Sequence, residues 1–377
     1  MMGGHPVLGS LLSFIQAQAD RGDGSLSYLD GRFIDLAAWK TEARRRVLDL
    51  LHYAPAPVDP APWLIERVDC GDHWRESVEF STTPDIRVPA FVLIPKGLTK
   101  PAPGIVALHD HGGFYLWGRE KLVELPGEHP TLTEFRRTCY AGRSIAVEMV
   151  RRGHVVVVID MFYWGDRRLV RADDGDDWRT RRGLTPERIA AFNGRSGAEE
   201  QLVARGLYTA GATWSGVMFW DDIRTVDYLL TRPEVDPARI GCVGLSVGGY
   251  RSLHLAALDP RIRAAVVVGW MASFPAQLAH HLLHTIGFTM LVPGLYREMD
   301  LPDVASLAAP NALMVINGTR DGLFELPGVR RAHERIAACY RKAGVAERFA
   351  GRIVDEPHEF SLAMQGEAWA WLERWLG

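Results

Sequence analysis

The sequence is poor in cysteine: four of its 377 residues, Cys70, Cys139, Cys242 and Cys339, and no two of them form a CxxC pair. This scarcity argues against a disulfide-rich secreted fold, and we expect free thiols in a reducing compartment. The sequence has no uncharged apolar run of about 18 residues, and its N-terminus lacks the basic start and apolar core of a signal peptide. We therefore predict a soluble, cytoplasmic protein.

An excess of charge of either sign is also lacking. The 43 basic and 46 acidic residues leave a formal net charge of −3, and no block of like charges occurs. Nucleic acid and membrane surfaces are therefore not expected as partners. With 47% hydrophobic residues, the chain can bury a large core. The composition does not decide whether the chain forms a homo-oligomer.

The first part of the chain differs from the rest in its pattern of apolar residues. Two segments, PVLGSLLSFIQAQA and AAWKTEARRRVLDLLHY, carry apolar residues at helical spacing. The proline-rich stretch APAPVDPAPW then interrupts the pattern, which is typical of a linker. We predict an N-terminal helical extension over residues 1–62 and a main domain over residues 63–377. The main domain opens with three short alternating runs that predict antiparallel strands: WLIERVDC, ESVEFST and RVPAFVLIP.

After Pro103, buried strands alternate with helices. Near-continuous β-branched strands between helical segments are typical of a mostly parallel central sheet with helices on both faces, so the predicted fold class is α/β. The predicted strands are GIVALHD, HVVVVIDM, RIGCVGLS, RAAVVVGW, NALMVING and RFAGRIV.

Two connections are too long to be plain loops, residues 164–215 and residues 271–305. Connections of this length at strand ends are usually lids or binding loops, since median loops have about 4 to 6 residues. Both leave the carboxyl edge of the sheet, where open α/β folds bind ligands. We predict a lid at about 164–215 and a second excursion at about 271–305.

The stretch GLSVG, residues 244–248, matches the pattern G-x-S-x-G. It stands between a predicted strand, RIGCVG, and a predicted helix, YRSLHLAALD. This context is that of a nucleophile elbow, in which a strained turn exposes the serine and glycines stand where a Cβ would clash. Ser246 is therefore the candidate nucleophile. The alternative is a glycine-rich turn that packs the helix on the strand.

Serine needs a base to remove its proton, and the order in this type of fold is serine, acid, histidine. Asp321 follows the strand NALMVING, and His358 follows RFAGRIV, the last predicted strand. All three residues thus fall at carboxyl ends of strands, where their side chains can converge. Asp303 and Glu325 remain alternatives to Asp321 as the acid.

An oxyanion needs backbone donors. One donor is expected to be the N–H of Val247, directly after the serine. The second should come from the turn LHDHGGFY: the N–H of His111 if His109 ends the strand, or that of Gly113 if His111 does. The sequence does not choose between them.

These motifs resemble the α/β-hydrolase superfamily, specifically its dienelactone hydrolase and acetyl xylan esterase-like branch. The resemblance spans about residues 65–377. It implies hydrolysis of carboxylic esters through an acyl-enzyme, without metal or organic cofactor, and by analogy a small-molecule substrate such as a small acyl ester or an acetylated sugar. True dienelactone hydrolases carry a cysteine nucleophile, and Ser246 at this position argues against a dienelactone substrate.

Aromatic residues near the strand ends are candidates for a substrate pocket, although each could instead pack the insertions down. They are Phe114, Tyr115, Trp117, Trp164 and Trp270.

Other activities remain as alternatives. The same triad serves C–C bond hydrolases and acylaminopeptide or peptide hydrolases. A metal-dependent hydrolase could draw imidazoles from HDH at 109–111 and HHLLH at 280–284, but no HExxH motif accompanies them, and we expect no metal. A non-catalytic binding module is the remaining alternative.

Overall fold

The structure, a computed structural model, describes residues 6–377. Within that range the chain forms one nine-stranded sheet in the order β1-β2-β3-β5-β4-β6-β7-β8-β9. The strands are β1 Trp63–Asp69, β2 His73–Ser81, β3 Arg87–Pro95, β4 Ala102–Leu108, β5 Val155–Ile159, β6 Val235–Leu245, β7 Ile262–Val268, β8 Ala312–Gly318 and β9 Phe349–Val354.

The sheet has an antiparallel part and a parallel part. Strands β1, β2 and β3 pair antiparallel, and β3 pairs antiparallel with β5. From β5 through β4 to β9 every pairing is parallel. The predicted fold class is confirmed, including the antiparallel start of the main domain.

Helices cover both faces of the sheet. In the described range they are α1 Leu12–Ala19, α2 Leu36–Leu50, α3 Pro130–Tyr140, α4 Ile145–Arg151, α5 Asp176–Thr180, α6 Pro186–Thr209, α7 Trp214–Leu230, α8 Val247–Leu258, α9 Leu282–Thr285, α10 Leu295–Glu298, α11 Leu301–Ser306, α12 Leu326–Lys342 and α13 Leu362–Leu376. No helix between residues 6 and 377 is both long and apolar enough to cross a membrane.

Strand β5 shows how the parallel sheet is buried. Its five residues, Val155–Ile159, are all buried, and successive side chains enter different hydrophobic clusters. Val155, Val157 and Ile159 belong to one cluster, whereas Val156 and Val158 belong to the other. Because neighbouring side chains of a strand point to opposite faces, the two clusters lie on the two faces of the sheet. A continuous β-branched run suits such a strand.

The N-terminal segment packs into the same core as the sheet. Trp39 of α2 is fully buried, belongs to the larger cluster and donates from Nε1 to the Leu26 carbonyl. Arg44 donates to the carbonyl of Ala257 at the end of α8, at 2.9 Å. The main domain's first strand begins at Trp63. A separate unit over residues 1–62 stays a prediction.

The 164–215 insertion contains α5 and the 24-residue helix α6. It packs on the segment that follows β4: Asn193 of α6 accepts hydrogen bonds from the backbone N–H groups of Tyr115, at 2.9 Å, and Leu116, at 3.4 Å. A role of this insertion as a lid stays a prediction.

Candidate active site

Ser246 stands between β6 and α8 in a strained backbone conformation. Its φ of 59° and ψ of −125° fall where residues with a Cβ are rarely found. Holding a residue in such a region costs about 1–3 kcal/mol, which surrounding structure must offset. Two backbone hydrogen bonds fix the turn: Ser246 N–H donates to Val268 O at 2.8 Å, and Tyr250 N–H donates to Ser246 O at 2.9 Å. This is the strand–turn–helix geometry of a nucleophile elbow.

The glycines around Ser246 permit very close packing. A Cβ at Gly248 would lie 2.0 Å from the Leu108 carbonyl oxygen at the end of β4. One at Gly244 would lie 2.3 Å from Gly248 C, and one at Gly249 would lie 2.7 Å from Val268 O. All three contacts are with backbone atoms, which cannot move aside as a flexible side chain can. The glycines therefore let the serine turn sit directly against β4 and β7.

Asp321 and His358 are hydrogen-bonded partners. His358 Nδ1 lies 2.7 Å from Asp321 Oδ2. Asp321 is only 5% exposed, and its other oxygen, Oδ1, accepts from Leu323 N–H at 3.0 Å. Asp321 follows β8 and His358 follows β9, and these neighbouring strands are parallel. A carboxylate in this position orients the imidazole and favours the tautomer with a proton on Nδ1.

The two alternative acids do not bond to His358. Asp303 is fully buried in α11, where it accepts from Ser27 Oγ at 2.9 Å and from Arg335 Nε at 2.8 Å. Glu325 occupies the N-cap position of α12. Neither carboxylate has a hydrogen bond to His358 in the described structure, and Asp321 is the carboxylate that does.

Ser246 and His358 approach the same point at the end of β7. The Ser246 N–H is bonded to Val268 O, while a Cβ on Gly269 would lie 3.2 Å from His358 Cε1. Among the hydrogen bonds of residues 6–377, none joins the Ser246 hydroxyl to His358. Serine–histidine hydrogen bonds are often long until substrate binds. The structure thus places the Ser246 backbone and the His358 ring at the end of the same strand, without a serine–histidine hydrogen bond.

The turn after β4 holds the two residues considered as second oxyanion donors. Strand β4 ends at Leu108, and the Gly113 N–H donates to His111 Nδ1 at 3.0 Å. The Gly113 donor is therefore occupied. No hydrogen bond described for residues 6–377 uses the His111 N–H. This difference favours His111 over Gly113, and the N–H of Val247 at the start of α8 remains the expected first donor.

The five aromatic residues predicted near the strand ends are all buried. Phe114 stacks on Phe135, with ring centroids 4.7 Å apart, and Tyr115 stacks on Trp164 at 4.8 Å. The first contact packs the turn after β4 against α3, and the second packs it against the start of the 164–215 insertion. Trp117 packs against Phe114 at 5.2 Å, and Trp270 meets Phe324 edge-on at 5.2 Å. A role of these residues in a substrate pocket stays a prediction.

A cavity of about 530 Å³ lies away from the serine, between α1 and the second excursion. Its lining is almost wholly apolar and includes Ile15, Phe274, Leu282 and Met290. Ser246, Asp321 and His358 are not among the residues that line it.

Two of the histidines considered as metal ligands, His109 and His111, have other partners. His109 Nδ1 contacts the Asp110 carbonyl at 2.8 Å, and its Nε2 accepts from Met161 N–H at 3.0 Å. Burial lowers the pKa of His109 well below its usual value, with Lys121 and Arg251 nearby as cations, so it is neutral. His111 Nε2 contacts Glu200 at 2.7 Å. The side chain of His284 lies outside the described residues. Within the described part of the chain, no group of three metal-ligating side chains was found.

The sequence analysis missed a buried polar cluster beneath the turn. Lys121 and Asp110 form an ion pair at 3.3 Å with side chains 0% and 3% exposed, and Tyr140 donates to the other Asp110 oxygen. In the sequence, Lys121 stands in the charged stretch REKLVEL, which is typical of a solvated segment. The pattern therefore gave no sign that this lysine would be buried.

Comparison with known proteins matches two overlapping parts of the chain to family models. Residues 30–179 match the abhydrolase family, and residues 140–291 match the dienelactone hydrolase family. Both are families of the fold described above, and together they run without a gap from residue 30 to residue 291. The chain therefore has the α/β-hydrolase fold and matches family models of that superfamily over these residues. The resemblance stated from the sequence motifs is confirmed.

Relatives of this chain include YtaP of Bacillus subtilis (strain 168), a protein that is described as a hydrolase by inference. It is 26% identical over 348 residues, which covers 89% of this chain and 100% of YtaP. This match extends beyond both family-model segments.

Solved structures share the fold at low identity. One, from Bacteroides fragilis NCTC 9343 and described as an acetyl xylan esterase by inference, aligns with a TM-score of 0.71 at 19% identity, covering 93% of this chain and 83% of the other. A glucuronoyl esterase from Solibacter usitatus aligns with a TM-score of 0.64 at 16% identity, covering 94% and 97%. Acetyl xylan esterase 1 from Thermoanaerobacterium sp. JW/SL YS485 gives 0.52 at 18% identity, covering 90% and 94%.

Proposed function

We propose that this α/β-hydrolase is a serine esterase that cleaves carboxylic esters through an acyl-enzyme. The observation that carries the proposal is the strained Ser246 turn between β6 and α8, together with a histidine that lies against the end of β7 and is oriented by Asp321. In serine enzymes with the α/β-hydrolase fold, the nucleophile stands on such a strained strand–turn–helix elbow, and glycines allow the neighbouring backbone to approach it closely.

In the proposed mechanism His358 Nε2 accepts the Ser246 hydroxyl proton as Oγ attacks the ester carbonyl carbon. Asp321 holds the proton on Nδ1 and stabilises the imidazolium that forms. The tetrahedral oxyanion receives hydrogen bonds from the N–H groups of Val247 and His111. Collapse expels the alcohol, protonated by His358, and leaves an acyl-serine. Water, deprotonated by the same histidine, then releases the acid and restores the serine.

The geometry of the site supports ester hydrolysis but does not indicate which ester is cleaved. We infer the substrate class from the structural neighbours. Neighbours in fold carry the names acetyl xylan esterase and glucuronoyl esterase, which denote esters of sugars. We extend this to a small-molecule ester, with a small acyl group and an acetylated sugar as the favoured case. Cytoplasmic location, homo-oligomer formation and independence from cofactors remain predictions.

Steady-state hydrolysis tests the proposal. Purified protein is assayed with p-nitrophenyl acetate, acetylated xylan and a methyl ester of glucuronic acid, and with acetyl p-nitroanilide to detect amide cleavage. We expect ester turnover that Ser246→Ala abolishes. The matched control Ser13→Ala, at an exposed position of α1, should match the wild type. Ester turnover that survives Ser246→Ala would contradict the proposal, and so would cleavage of the anilide without any ester.

A further inference from the structure

The peptide unit between Asp110 and His111 is held by two donors on its carbonyl side. The Asp110 carbonyl oxygen lies 2.9 Å from Lys121 Nζ and 2.8 Å from His109 Nδ1. Because His109 Nε2 accepts from the Met161 N–H, its proton is on Nδ1, and it donates to this carbonyl. The N–H of the same peptide unit belongs to His111, the second oxyanion donor of the proposed mechanism.

Lys121 is fully buried, which is rare for lysine unless it is paired. Its ammonium reaches three acceptors: the Asp110 carbonyl at 2.9 Å, the His111 carbonyl at 3.0 Å and Asp110 Oδ2 at 3.3 Å. An ammonium has three donors and no acceptor, so these contacts use its full capacity. Only one of the three partners carries a charge. The lysine is thus directed at the turn backbone as much as at the carboxylate.

A charged donor on a peptide carbonyl polarises the whole unit. Hydrogen bonds in a chain strengthen one another in a low-dielectric interior, and a bond from an ionised donor is about twice as strong as a neutral one. Electron density drawn toward the Asp110 oxygen leaves the His111 N–H more positive. The same contact fixes the direction of that N–H, so that no reorganisation is needed when negative charge develops.

Resting on the proposed function, we infer that Lys121 is a positioning residue for the oxyanion hole. It fixes and polarises the Asp110–His111 peptide, and its effect reaches the substrate through the His111 N–H. The alternative is a purely structural role, in which Lys121 only neutralises buried Asp110.

Two variants separate these roles. Lys121→Met removes the ammonium and keeps the aliphatic stem. Tyr140→Phe is the matched control, since it removes the other partner of the Asp110 carboxylate and leaves the Asp110 carbonyl untouched. Should Lys121→Met not fold, the double variant Asp110→Asn/Lys121→Met removes both charges together and still lacks the ammonium.

The readouts are kcat and KM for p-nitrophenyl acetate and the affinity for a trifluoromethyl ketone, whose adduct with the serine carries an oxyanion. Without Lys121 we expect kcat/KM to fall about 10²- to 10³-fold, mainly in kcat, with a parallel loss of ketone affinity. Tyr140→Phe should lower thermal stability and leave kcat/KM within about threefold.

A loss in the lysine variant no larger than that in Tyr140→Phe would overturn the inference, as would a loss of kcat/KM with unchanged ketone affinity. These results differ from failure of the proposed function, which would show as a wild-type protein that hydrolyses no ester.

Discussion

His358 Nδ1 lies 2.7 Å from Asp321 Oδ2, although the two residues are 37 positions apart in the chain. The contact depends on the parallel pairing of β8 with β9, which brings the loops after both strands to the same edge of the sheet. It gives Asp321 a defined role, which is to orient the imidazole of His358.

Replacing Asp321 with asparagine should lower kcat for ester hydrolysis about 10³- to 10⁴-fold, because the amide favours the wrong imidazole tautomer. The fold should persist, since an amide fills the same volume. Glu325→Gln, four positions along the chain, is the matched control and should keep near-wild-type kcat. Equal losses in the two variants, or near-full activity in Asp321→Asn, would remove Asp321 from the mechanism.

Gly248→Ala should destabilise the protein strongly. Its Cβ would lie 2.0 Å from the Leu108 carbonyl oxygen, so β4 and α8 would have to separate. We expect the free energy of unfolding in urea to fall by about 2 kcal/mol or more. Gly366→Ala, at an exposed position of α13 where a Cβ has nothing within 4 Å, should be neutral or stabilising by up to about 1 kcal/mol. Similar stabilities for the two variants would contradict the close approach of β4 and α8.

Stability should fall as pH drops from about 6.5 to 4. Burial lowers the pKa of His333 to about 4, and its Nε2 lies 2.9 Å from Asn317 Oδ1. Between its folded pKa and an unfolded value of about 6.5, the unfolded chain binds the extra proton. The contribution of His333 is therefore complete above pH 6.5 and is lost as pH falls, at up to about 1.4 kcal/mol per pH unit.

Urea unfolding at several pH values checks the role of His333. Between pH 4 and 6.5, the slope of the unfolding free energy against pH should be smaller in the His333→Gln variant than in the wild type, by up to about 1.4 kcal/mol per pH unit. An unchanged slope would show that His333 titrates alike in the folded and unfolded states.

Much of the fold could be predicted because its signals are local. The β-branched sequence VVVVI of strand β5 predicts a strand without any knowledge of the strands that pair with it. Every predicted strand of the sheet is present in the structure. The order serine, acid, histidine could be placed because each residue follows a recognisable strand. The Asp321–His358 contact agrees with that placement.

Other features depend on contacts between distant residues and left no local signal. Helix α6 lies inside a segment rich in charge and glycine, and it is held by contacts such as those of Asn193 with the turn after β4. Lys121 looks solvated in the sequence and is buried only because the turn and α3 enclose it. The choice between His111 and Gly113 as second oxyanion donor depended on the residue at which β4 ends, and the sequence of the turn LHDHGGFY does not determine that residue.

Labelling with a fluorophosphonate tests the central claim, the nucleophilic character of Ser246, most directly. The wild-type protein is treated with the probe, its intact mass is measured, and the modified peptide is sequenced by mass spectrometry. We expect one adduct per chain, located on Ser246, with parallel loss of ester turnover and much slower labelling in His358→Ala. Complete loss of turnover with the adduct on another residue, or continued turnover by fully labelled Ser246, would contradict the account.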